Sequence, residues 1–66
     1  MIAYYKLLDM LNKRGISKLE LMEKAGISRG TLAKLSKNEP VSISTINCIC
    51  NVLKCQPGEI MEWIEK

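Results

Sequence analysis

The chain has 66 residues, 47% of them hydrophobic and 26% charged, with ten Lys and Arg against seven Asp and Glu for a formal net charge of +3. A chain this short holds one domain and buries only about 60% of the surface its unfolded form exposes, so closely packed helices rich in Leu and Ile are the economical solution. With no basic leader, no small-residue cleavage site and no run of about 18 uncharged apolar residues, neither a signal peptide nor a membrane span is expected, and the protein reads as cytoplasmic.

Tyr4, Leu7, Leu8 and Leu11 recur at i, i+3, i+4 and i+7, which predicts an amphipathic first helix running to about Arg14. Gly15 stops it, and Lys13 and Arg14 favour the negative end of its dipole. Ser17-Lys18-Leu19-Glu20 has the form of a capping box, in which the Ser hydroxyl takes the amide three residues on and the Glu reaches back. The second helix that starts there carries Leu21, Met22 and Ala25 inward and ends at Gly26, which enters the left-handed region at little cost. Ser28 then caps a third helix from about Arg29 to Lys37, so that only Gly26-Ile27-Ser28 separates helices two and three. Two short helices joined this closely must cross sharply. Asn38 is suited to a left-handed exit from the third helix, and Pro40 prevents the helix from resuming.

Ser42 caps a fourth helix with Ile43, Ile46, Ile49, Cys50 and Leu53 on its inner stripe, ending near Lys54, with Ser, Thr and Asn outside. Pro57 fits the first position of a fifth helix, with Glu59 in its first turn and Ile60, Met61 and Ile64 apolar. The expected fold is therefore all-α, a compact five-helix domain over residues 1–66 in which no strand is needed.

Cys48, Cys50 and Cys55 are odd in number, which argues against a closed disulfide framework. A structural zinc site needs four ligands, yet His is absent and Cys48 and Cys50 would point to different sides of a helix. They read as reduced, small apolar residues of the interior. Without His as a base, a Gly-rich phosphate cradle or a nucleophile elbow, no catalytic residues, cofactor or small-molecule substrate are expected. Tyr4 and Tyr5 lack the accompanying aromatics of a single-strand stacking platform.

Charge is unevenly distributed. From Lys13 to Lys37, seven basic residues (Lys13, Arg14, Lys18, Lys24, Arg29, Lys34 and Lys37) face only Glu20 and Glu23, whereas the segment after Lys37 is net acidic. Such a basic segment suits a polyanion, although a solvated face is the ordinary reading of any charge run. On a wheel of 100° per residue, Leu32 and Leu35 form the buried side of the third helix, and Gly30, Ala33, Lys34 and Lys37 lie opposite, with Arg29 and Thr31 on the flanks. That outward face is cationic but nearly without bulk, so it can approach another surface closely.

The stretch Leu21 to Leu35, with its Leu, turn Gly, apolar Ile27, small cap and two spaced aliphatics, resembles the helix-turn-helix of the Cro and lambda-repressor type family. Ser17 to Glu20 looks like that family's opening of helix two, Ile43 to Leu53 like its fourth helix, and Pro57-Gly58-Glu59-Ile60 like the short closing helix of many small members. Met22 where Ala is usual, and Glu39 where Gly often follows Asn, depart from the pattern. The resemblance implies a sequence-specific regulator of transcription, repressor-like, with helix three in the major groove of double-stranded DNA. It implies base readout by Arg29, whose planar fork matches guanine, with Lys34 second and Ser28 at the helix start. Gly30 would allow the close approach, Thr31, Lys37 and Asn38 would face the DNA backbone, and Lys18 would join the free amides of helix two at a phosphate.

The expected partners are duplex DNA and a second copy in a homodimer, formed through Ile60, Trp63 and Ile64 or through the Met1 to Tyr5 start. Trp63 reads slightly better as a lid on one end of the core. The competing functional reading is a protein-interaction module, an adaptor or antitoxin-like partner using an acidic C-terminal helix.

Overall fold

The computed structural model describes residues 1–65. Helix α1 spans Tyr5–Arg14 and closes at Gly15, whose φ of 67° is the left-handed conformation that an unsubstituted residue adopts without strain. Helix α2, Lys18–Ala25, opens on the full capping box: Ser17 Oγ accepts from the Glu20 amide at 3.0 Å, and Glu20 Oε1 accepts from the Ser17 amide at 3.2 Å. Helix α3 is Arg29–Ser36, and helix α4 is Ile43–Leu53, capped by Ser42. Each of these boundaries lies within about a residue of its expected place, the ordinary uncertainty of a helix end.

The core is a single apolar cluster made from every helix. Leu7 and Leu11 come from α1, Leu21 from α2, Leu35 from α3, and Ile46, Ile49 and Leu53 from α4, with Tyr4 and Ile60 closing the ends. Helix α2 packs chiefly on α4 and crosses α3. Arg14 Nη1 donates to the Leu53 carbonyl at 2.7 Å, which ties the last turn of α1 to the last turn of α4. Cys50 and Cys55 pack against this cluster, but all three cysteines are half-buried rather than enclosed. Burial, with Cys50 alongside, pushes the Cys55 thiol above its ordinary pKa.

The C-terminal segment departs from the five-helix expectation. Pro57–Glu59 forms only one 3₁₀ turn, and no fifth α-helix follows among the described residues. The chain passes through buried Ile60 and becomes strand β2, Glu62–Trp63, paired antiparallel with strand β1, Ile2–Ala3, in the register Ile2 to Trp63 and Ala3 to Glu62. The ladder continues outward: the Ile64 amide donates to the Met1 carbonyl at 2.8 Å, and the Met1 ammonium donates to the Ile64 carbonyl at 2.8 Å. The fold is thus four α-helices plus a short two-stranded ribbon. Two causes are visible. Gly58 carries the highest helix cost after proline, and a helix over Met61 to Ile64 would leave the backbone of residues 1–3 without a strand to pair with.

A cluster of polar side chains holds the ribbon to α1. The Tyr5 hydroxyl donates to Glu62 Oε2 at 2.7 Å, and Lys6 Nζ lies 2.9 Å from Glu62 Oε1 and 3.3 Å from the Gly58 carbonyl. The hydrogen bonds from Tyr5 and then from Lys6 hold the Glu62 carboxyl below its ordinary pKa; the same bond to Glu62 raises the Tyr5 hydroxyl, and Glu62 likewise raises Lys6.

Three burial expectations also fail. Ile43, at the head of the α4 stripe, is 76% exposed, and Trp63 is 65% exposed rather than a lid on the core. Ile60, expected to be available to a partner, is wholly buried. No helix among the described residues is long and apolar enough to cross a membrane.

Candidate nucleic-acid interface

Gly26 turns the chain between α2 and α3 with φ 67°, and the Ile27 amide donates to the Met22 carbonyl at 3.1 Å, closing α2 before α3 begins. Ser28 then caps α3: its Oγ accepts from the Thr31 amide at 3.1 Å and lies 3.0 Å from Thr31 Oγ1. Leu35 anchors α3 in the core, Leu32 is half-buried, and the far side is open to solvent at Arg29, Gly30, Ala33, Lys34 and Lys37. The face read from the wheel is the face the fold leaves uncovered.

Lys18, from the first turn of α2, is brought beside Arg29. Together with Leu19, Met22 and Leu32 the two line a shallow depression in the angle between the helices. Among the described residues the ion pairs are Lys6 with Glu62 and Lys13 with Asp9, so Lys18, Arg29, Lys34 and Lys37 keep their charges unneutralised. Unpaired cations flanking a slim helix surface are what a phosphate backbone requires.

Ser28 and Thr31 sit on this face with part of their hydrogen-bonding capacity spent on the cap. Asn38 sits at its C-terminal edge with φ 58°, the left-handed exit expected of it, and its Oδ1 accepts the Tyr4 amide at 2.9 Å. That bond fixes the end of α3 against the start of α1 and occupies the Oδ1 of Asn38, whose amide nitrogen remains a donor. Leu19 escaped the sequence reading. It is 52% exposed in the wall of the depression beside Lys18 and Arg29. Its position off the Leu21, Met22 and Ala25 stripe was the available signal.

The sequence matches the Cro/C1-type HTH DNA-binding domain over residues 6–66. It is 43% identical over 56 residues to YozG of Bacillus subtilis (strain 168), described as an uncharacterized HTH-type transcriptional regulator, in an alignment spanning 82% of this chain and 67% of the relative. The crystal structure of the transcriptional regulator VanUg, form II, superposes with a TM-score of 0.94 at 42% identity, covering 98% of this chain and 87% of that one.

Proposed function

From a chain that belongs to the Cro/C1-type HTH DNA-binding family, a family of non-enzymatic transcriptional regulators, we propose a repressor-like protein that inserts α3 in the major groove of a specific duplex. One observation carries the reading: the only strongly exposed side of α3 combines unpaired Arg29, Lys34 and Lys37 with the small residues Gly30 and Ala33. Arg29 and Lys34 read base edges, and Lys18, Thr31, Lys37 and the Asn38 amide nitrogen hold phosphates. Ser28 contributes mainly by fixing the first turn of α3. Residues 1–66 act as one such domain, and two copies bind a two-fold-related site, since an eight-residue helix reads only a few base pairs.

Fluorescence anisotropy with a duplex selected from a random library, repeated across a salt series, tests this. Lys37→Ala is expected to lower the salt slope by about one while weakening all duplexes alike, and Arg29→Ala or Lys34→Ala to cost about 1–3 kcal/mol at one base position while relaxing specificity there. A signal that is absent or independent of salt would transfer the function to protein contacts instead.

A further inference from the structure

Helix α4 ends in a turn that brings two cysteines together. Lys54 takes φ 53°, a left-handed conformation that a residue with a β-carbon holds only where its surroundings impose it. The Cys50 carbonyl accepts from the amides of both Lys54 and Cys55, the latter at 3.2 Å. This closure folds the residue after the left-handed one back onto the last full turn of the helix, here Cys55 onto Cys50. Their nearness also shows in the Cys55 thiol, which burial first and Cys50 second push above the ordinary range.

The two cysteines line the same pair of hollows, a polar one with Lys54 and Glu59 and a more apolar one with Ile46, Pro57 and Met61. Met61 is held there through its backbone, whose amide donates to the Pro57 carbonyl at 3.0 Å. Two thiols and a thioether therefore border one hollow at the edge of the core. Cys48, about 200° round the helix from Cys50, lines neither hollow.

We propose that Cys50 and Cys55, with Met61 as a third donor, form a binding site for one Cu(I) ion. Thiolate and thioether sulfur are the soft donors that select this ion, and two or three of them satisfy it. Structural zinc requires four nitrogen or sulfur ligands, whereas the sequence has no His and no three Cys, Asp or Glu gather among the described residues. Calcium and magnesium require oxygen donors instead. On binding, each thiol gives up its proton to solvent, so the ion with its two thiolates carries a single negative charge. Arg14 and Lys54 oppose that charge, against Glu59 alone. Arg14 is fixed nearby by its bond to the Leu53 carbonyl at 2.7 Å. None of the donors belongs to α2 or α3, so the site stands independently of the DNA-binding reading.

Anaerobic titration of the full chain with Cu(I), in competition with bicinchoninate, tests this. The natural protein is expected to withdraw one equivalent from the coloured complex and to gain thiolate-to-copper absorption in the near ultraviolet. Cys50→Ser and Cys55→Ser should each weaken binding about a hundredfold and Met61→Leu, alike in volume, about tenfold, while Cys48→Ser leaves it unchanged. A natural protein that yields all its Cu(I) to bicinchoninate, equal loss in Cys48→Ser and Cys50→Ser, or Zn(II) bound as tightly as Cu(I) overturns the proposal. Undiminished binding by Met61→Leu removes the thioether from the site. Alkylation of the natural protein by iodoacetamide, with peptide mapping, needs no variant to fold. One equivalent of Cu(I) should shield Cys50 and Cys55 together and leave Cys48 reactive; shielding of all three alike, or of none, refutes the assignment.

Discussion

Gly30→Ala separates what α3 contributes to stability from what it does at DNA, because the two effects have opposite signs. Gly30 is the second residue of α3 and has an ordinary negative φ; a Cβ built there meets only Ser28 Oγ, at 3.8 Å, an ordinary van der Waals distance. Nothing in the folded chain resists the methyl group. Glycine in a helix costs about 1 kcal/mol relative to alanine, and at a first-turn position the gain is expected to be about half to all of that. For a domain of this size the midpoint of thermal unfolding should rise by roughly 2–8 °C, read from ellipticity at 222 nm. The methyl group nevertheless projects from the face proposed to enter the groove. Overpacking of a close contact costs about 1–3 kcal/mol, so affinity for the selected duplex should fall fivefold or more in the same variant. A lower melting midpoint would refute the steric reading of Gly30. A higher midpoint with undiminished affinity would refute the close approach of this face to DNA.

Asn38→Ala removes the acceptor of the Tyr4 amide and places a β-carbon at φ 58°, for an expected loss of about 1–3 kcal/mol in urea unfolding, whereas Asn38→Gly relieves the backbone and should lose only about 0.5–1.5 kcal/mol. Equal effects of the two substitutions would mean that the left-handed exit is not strained. The cluster of Tyr5, Lys6 and Glu62 should weaken at both ends of the pH scale. Glu62 has a lowered pKa, so its contribution is full above the ordinary carboxylate range and is lost as pH falls through the lowered value. Tyr5 and Lys6 have raised values, so theirs is full below the ordinary phenol and amine ranges and is lost as pH rises through the raised ones. In an NMR titration, Glu62→Gln should return the Tyr5 midpoint toward that of a free tyrosine; an unchanged midpoint would show that the hydrogen bond does not persist in solution.

Most of the helical framework was legible in the sequence because its signals are local. Ser17 with Glu20, Ser28 and Ser42 at the starts, Gly15, Gly26 and Asn38 at the ends, and the Leu and Ile spacing between them act over three or four residues, the range at which side chains and backbone amides of one segment meet. The cationic face of α3 was legible for the same reason: Leu32 and Leu35 fix which side is anchored, and the helical period then assigns Arg29, Gly30, Lys34 and Lys37 to the other.

The tertiary structure alone decided what depended on groups distant along the chain. Whether the segment after Pro57 continues as a helix or pairs as a strand was settled by residues 1–3, at the other end of the sequence, where Met1 bonds Ile64 and Ile2 and Ala3 lie in register with Trp63 and Glu62. The exposure of Ile43 and Trp63 and the concealment of Ile60 follow from how far the shared core extends, which no periodicity measures. Asn38 carried a local signal for its left-handed turn, but its bond to the Tyr4 amide exists only because folding brings the ends of α1 and α3 together.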